Sequence, residues 1–111
     1  MERLRKNKDF QSVFQSGKSC ANKYFVMYVS KNNLGINRFG VSVSKKIGNS
    51  VVRHRMKRLL KECFRLQEDM FNSSLDIVVI VRKGADSLDY EEVKKSVFHL
   101  MKLHHMVSSG S

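Results

Sequence analysis

A chain of 111 residues, 41% hydrophobic and 28% charged, carries enough apolar material for one core and too little length for two, so it reads as one domain over residues 1–111. Twenty-one Lys and Arg against ten Asp and Glu leave a formal net charge of +11, which calls for a polyanionic partner. The longest aliphatic run, Ile77 to Val81, is far too short to cross a bilayer, and Met1 to Lys6 lacks the apolar stretch of a secretory signal, so the expected location is the cytoplasm, with no membrane association.

In chain order, Asn7 offers an N-cap for a first helix ending before Gly17, with Phe10, Val13 and Phe14 on one stripe. Tyr24 to Val29 reads as a strand with Phe25, Met27 and Val29 on one face and Tyr24, Val26 and Tyr28 on the other. Phe39 to Val43 alternates apolar with small residues and reads as a second strand. Asn49 caps a long helix to about Leu66, and Ile77 to Val81, apolar on both faces, is expected as a central strand. Asp89 with Glu92 forms a capping box opening the last helix, and Ser108 to Ser111 reads as a frayed polar end. The expected architecture is an α/β (α+β) two-layer sandwich in the order α-β-β-α-β-α.

Most of the net charge lies between Ser42 and Arg65, where eight Lys and Arg meet a single acid, Glu62. At about 100° per residue, Arg53, His54, Lys57, Arg58, Lys61 and Arg65 share one arc of the long helix. Val52, Met56, Leu59, Leu60, Cys63 and Leu66 share another, and Arg55 falls near the edge of the apolar one. A solvated helix normally interleaves both signs; like charges on one arc repel unless a polyanion lies against them. If the tyrosine face of the first strand is open beside this arc, rings there can stack on unpaired bases while the cations hold phosphates.

Chemistry by the polypeptide is not indicated. The acids are scattered, and Glu91 and Glu92 are explained by the first turn of the last helix. His99 and His104 are five residues apart, off the three or four that bring two imidazoles together. Cys20 and Cys63 lack zinc or disulfide spacing and read as reduced thiols. Neither a catalytic residue nor a protein-bound metal is expected.

The run from Gly40 to Glu62, with Lys45-Lys46, Asn49, Arg53-His54-Arg55, Lys57-Arg58 and Lys61, resembles the signature of the protein subunit of bacterial ribonuclease P. The likeness extends to Asn7 to Gln11 with Val13-Phe14, to Tyr28 and to Val81 to Ala85. It implies a ribosomal-protein-like fold with a left-handed β-α-β crossover. It also implies a non-catalytic subunit of an endoribonuclease that helps remove 5′ leaders from precursor tRNA, with catalysis and Mg²⁺ belonging to the RNA. On that resemblance Lys45, Lys46, Asn49, Arg53, Arg55, Lys57, Arg58 and Lys61 bind the catalytic RNA, and His54 and Arg65, which share the basic arc of the helix, are expected to bind it with them. Phe10, Phe14, Tyr28 and Lys83 form a cleft for the leader, with Lys57 and Lys61 at its rim. No small-molecule substrate is implied. His54 departs from the family's usual Asn. A general or ribosome-associated RNA chaperone would share the charge without needing a leader cleft. A helix lying on anionic lipid would have to expose its apolar arc.

Overall fold

A computed structural model describes residues 1–70 and 74–106; the polar end at 108–111 lies outside them. A five-stranded mixed sheet is built from β1 (Glu2–Arg3), β2 (Lys18–Ala21), β3 (Phe25–Lys31), β4 (Arg38–Ser42) and β5 (Leu75–Val81), in the spatial order β1-β4-β5-β3-β2. Three helices accompany it: α1 (Asn7–Ser16), α2 (Ser50–Gln67) and α3 (Tyr90–Leu103). β4 and β5 run parallel as neighbours joined through α2, β1 is parallel to β4, and β3 is antiparallel to both β5 and β2.

Strand alternation divides the apolar residues between the two faces of the sheet. Phe25, Met27, Phe39, Ile77 and Val79 point to one face, where they pack with Met56, Leu60, Cys63 and Phe64 of α2 and with Val93, Val97, Leu100 and Met101 of α3. Phe39 and Phe64 stack with ring centroids 4.4 Å apart. On the opposite face Val78 meets Leu4 and Val13 under α1, with Phe10, Phe14 and Tyr28 around them. β5 is buried on both faces, as its uninterrupted apolar run requires.

The six expected elements are present, with two strands added. β1 pairs over only two residues and β2 is a largely exposed edge of Lys, Ser, Cys and Ala; neither has the apolar alternation that marks a half-buried strand. Lys6, not Asn7, holds the N-cap position of α1, and it makes no side-chain cap bond. Gly17 ends α1 because the chain turns tightly there: a Cβ would stand 2.5 Å from the Val13 carbonyl oxygen. Tyr24 precedes β3 and packs against the main core, so it does not share the α1 face with Tyr28. The buried arc of α2 is Met56, Leu60, Cys63, Phe64 and Gln67, whereas Leu66, expected inside, is 57% exposed.

Candidate nucleic-acid interface

α2 begins where its capping chemistry begins. The Asn49 side chain accepts a hydrogen bond from Val52 N at 3.0 Å, and its carbonyl accepts one from Arg53 N at 3.0 Å. Rotation along the helix then turns one row of cations away from the core. His54, Lys57, Arg58, Lys61 and Arg65 line a groove of about 770 Å³ whose other wall is Met1 to Arg5 and whose floor includes Phe10, Phe39, Gly40 and Val41. Arg3 and Arg5 add two positive charges from the far wall, a contribution that α2 periodicity alone does not reveal. Arg65 pairs with Glu62, holding that carboxyl below its ordinary value. Lys57, Arg58 and Lys61 make no ion pair among the described residues. Exposed cations left unneutralised on one wall are what a phosphate backbone requires.

The remaining basic residues are placed differently. Arg53 lies at the angular position of buried Leu60 and Phe64, is half-buried, and turns its Nε toward the Asn49 carbonyl at 3.4 Å; it does not line the groove. Arg55 is turned away from the ridge, donating to the carbonyls of Asp86 and Leu88 at 3.3 Å each, so it ties α2 to the connection before α3. Lys45 and Lys46 are exposed in the turn after β4, and Lys83 is exposed just after β5. Because β4 and β5 are parallel, all three sit at the sheet end where α2 starts.

The α1 face is organised in rows across the strands. In the middle row Gly40, Val78 and Tyr28 stand side by side on β4, β5 and β3, and α1 crosses directly over them. Phe10 sits against Gly40 so closely that a Cβ there would lie 2.5 Å from Phe10 Cζ. Phe14 meets Tyr28 edge-on, centroids 5.0 Å apart at 74°. Gly in a strand interior signals such an approach.

On one side of that row the face is closed by ion pairing. Arg38 holds Asp76 through two hydrogen bonds of 2.8 and 2.7 Å, Asn32 adds a third at 2.7 Å, and Asp9 of α1 lies 3.8 Å from Arg38. Burial pushes the Asp76 carboxyl up, but Arg38 and Asn32 outweigh it and keep the group below its ordinary value. On the other side, the next row, Ser42, Ile80 and Val26, is exposed or half-buried. It forms an open floor beside Phe14 and Tyr28 that runs toward Lys83.

The histidines of α3 and its C-cap do not converge. His99 faces Asn22, while His104 Nε2 lies 2.8 Å from the Met27 carbonyl oxygen, and burial lowers the His104 pKa. Among the described residues no three His, Cys, Asp or Glu side chains are grouped to hold a metal ion, and no helix is long and apolar enough to cross a membrane.

The sequence profile of the family described as Ribonuclease P matches residues 1–104. A ribonuclease P protein component from Lachnoclostridium phytofermentans is 53% identical over 109 residues, covering 98% of this chain and 94% of the relative. The chain belongs to the ribonuclease P protein component family. A second relative of the same description, from Alkaliphilus metalliredigens, is 46% identical over 96% of each chain. The fold agrees as well. The ribonuclease P protein of Staphylococcus aureus superposes with a TM-score of 0.89 at 35% identity, covering 97% of this chain and 99% of the other. That of Thermotoga maritima superposes with a TM-score of 0.84 at 36% identity, covering 93% and 97%. Membership in the ribonuclease P family makes this chain an RNA-binding protein of tRNA processing and part of an endoribonuclease complex.

Proposed function

We propose that this ribonuclease P protein binds the catalytic RNA through the α2 ridge and receives the 5′ leader of precursor tRNA across the α1 face. The supporting observation is that a single groove is lined at once by Phe10 and by the unpaired cations Lys57, Arg58 and Lys61. A single strand can therefore place bases against Phe10, Phe14 and Tyr28 while its phosphates meet Lys57, Lys61 and, farther along, Lys83. Lys45, Lys46, Arg53, His54 and Arg65 extend the surface offered to the catalytic RNA. Asn49 and Arg55 serve it by shape, one starting α2 and the other fastening it to the chain before α3. Hydrolysis and its Mg²⁺ are assigned to the RNA. The acids here have other work: Asp76 and Glu62 pair with arginines, and Asp89 and Glu92 close the capping box of α3. Such an assembly works in the cytoplasm.

Reconstitution tests this reading. The protein alone leaves precursor tRNA uncut, and adding a bacterial ribonuclease P RNA restores cleavage with tighter binding of substrates that carry a leader. If the ridge neutralises about five phosphates, log affinity falls with log salt at a slope of about −3.5 on single strands to −4.5 on duplex. Cleavage by protein alone, or a flat salt response, overturns the proposal. Under the alternative of a general RNA chaperone, replacing Phe10 and Phe14 by Ala leaves affinity independent of the leader. Here it removes the leader-dependent part.

A further inference from the structure

We propose that the leader track does not end at the sheet but continues around its end onto α3, where a second cationic surface holds the 5′-ward part of a longer single-stranded RNA. The inference rests on the leader lying on the open floor of the α1 face.

The connection is the turn between β2 and β3. Asn22 fastens it to α3, donating to the Ser96 carbonyl and hydroxyl at 2.9 Å each, and its own side-chain oxygen accepts from Tyr24 N and Phe25 N. Arg82, leaving β5, donates to the Asn22 carbonyl at 2.7 Å, and its backbone N–H bonds to the Tyr24 carbonyl. Arg82 and Lys83 therefore sit at the exit of the open floor, Lys23 lies on the turn, and Lys95, His99 and Lys102 follow along α3 next to it, all exposed.

Three properties separate this band from an ordinary solvated face. None of the six residues makes an ion pair among the described residues. The acids of α3, Glu91 and Glu92, are confined to its first turn, and Glu92 is engaged in the capping box. Two ammonium groups rest over half-buried rings, Lys102 over Phe98 at 5.0 Å and Lys23 over Tyr24 at 5.4 Å, which limits their freedom before any ligand arrives. Lys95 and Lys102 are separated by about 10 Å along the helix, room for at least two phosphates of an extended strand. The band lies beside β2, at the opposite edge of the sheet from the α2 groove, so a strand bound here need not displace RNA from the ridge.

The test uses the reconstituted holoenzyme and precursor tRNAs with no leader, a leader that just covers the floor, and the same leader extended at its 5′ end with oligouridine. The variant replaces Lys95, His99 and Lys102 together by Gln. For the parent, the extension tightens binding about 5- to 10-fold at low salt and steepens the salt slope by about 1.5, the release expected from Lys95 and Lys102 on a single strand. For the variant, both gains from the extension disappear while the gain from the short leader stays. An extension that gains nothing in the parent overturns the inference, as does a variant that keeps the gain or weakens all three substrates equally. A parent that binds the short leader no better than none overturns the underlying leader reading as well.

Discussion

Replacing Gly40 by Ala probes the seat of Phe10 without removing a charge. The added Cβ would stand 2.5 and 2.7 Å from Phe10 Cζ and Cε1 and 3.2 Å from Leu4 Cβ, where carbon atoms normally keep about 3.5–4.0 Å. The ring must retreat by about 1 Å, and overpacking of that size costs about 1–3 kcal/mol. Ala recovers about 0.5–1 kcal/mol over Gly in a strand, which, set against the middle of that range, leaves a net loss of about 1 kcal/mol in urea unfolding at neutral pH. Because Phe10 also lines the groove, the part of substrate affinity that depends on the leader should fall by about 1 kcal/mol, the lower end of a base–ring stack. The salt slope should stay the same, since no cation has been lost. Both quantities come from one series of binding isotherms on substrates with and without leader. A Gly40→Ala protein as stable as the parent shows that Phe10 does not occupy this seat, and a slope that drops with affinity shows that Gly40 acts through the ridge.

Arg38→Met strands Asp76, whose side chain is 10% exposed, and should cost about 3 kcal/mol at pH 7. With Arg38 present, Asp76 has a folded pKa below its unfolded value, so its contribution is complete above the ordinary carboxylate range and is lost as pH falls through the folded pKa. The cost of the substitution should therefore shrink on acidification, and unfolding curves that keep the same difference at low pH contradict the pairing. Asn49→Ala removes the cap on Val52 N and should lower stability by about 1 kcal/mol, read as a shifted urea midpoint at constant m-value. The Cys63 thiol, fully buried and pushed up to about 11 by that burial, should resist alkylation at pH 8 until the protein unfolds. Rapid labelling of Cys63 in the native state would mean that α2 does not lie on the sheet as described.

Much of the scaffold is legible because its signals are local. Asn49 and the Asp89–Glu92 box mark helix starts through bonds that span three residues, and β5 announces a central strand by lacking any polar alternation. β1 and β2 have no such mark: their pairing is supplied by β4 and β3, and a polar edge strand looks like loop until its neighbour is known. The same division holds at the site. The cationic arc of α2 follows from helical period, and Phe10, Phe14 and Tyr28 from the family resemblance. The wall formed by Arg3 and Arg5 depends on a parallel pairing across 36 residues, Glu2 with Arg38. Arg55 looks like another ridge residue in a charge count. Helical period already sets it off the ridge, but its hydrogen bonds to carbonyls 31 and 33 positions away could not be read from spacing.

The central position of β5 also governs when this protein becomes competent. Its partners span Phe25 with Val81 and Phe39 with Ile77, contacts far apart along the chain, so the sheet closes only after late residues are in hand. Topologies of this kind fold more slowly than those made of local contacts. β5 lies between β3 and β4, so without it the apolar side of α2 has no complete surface to rest on and its cations have no fixed direction. Closing the sheet and fixing the direction of the α2 cations are thus one structural event.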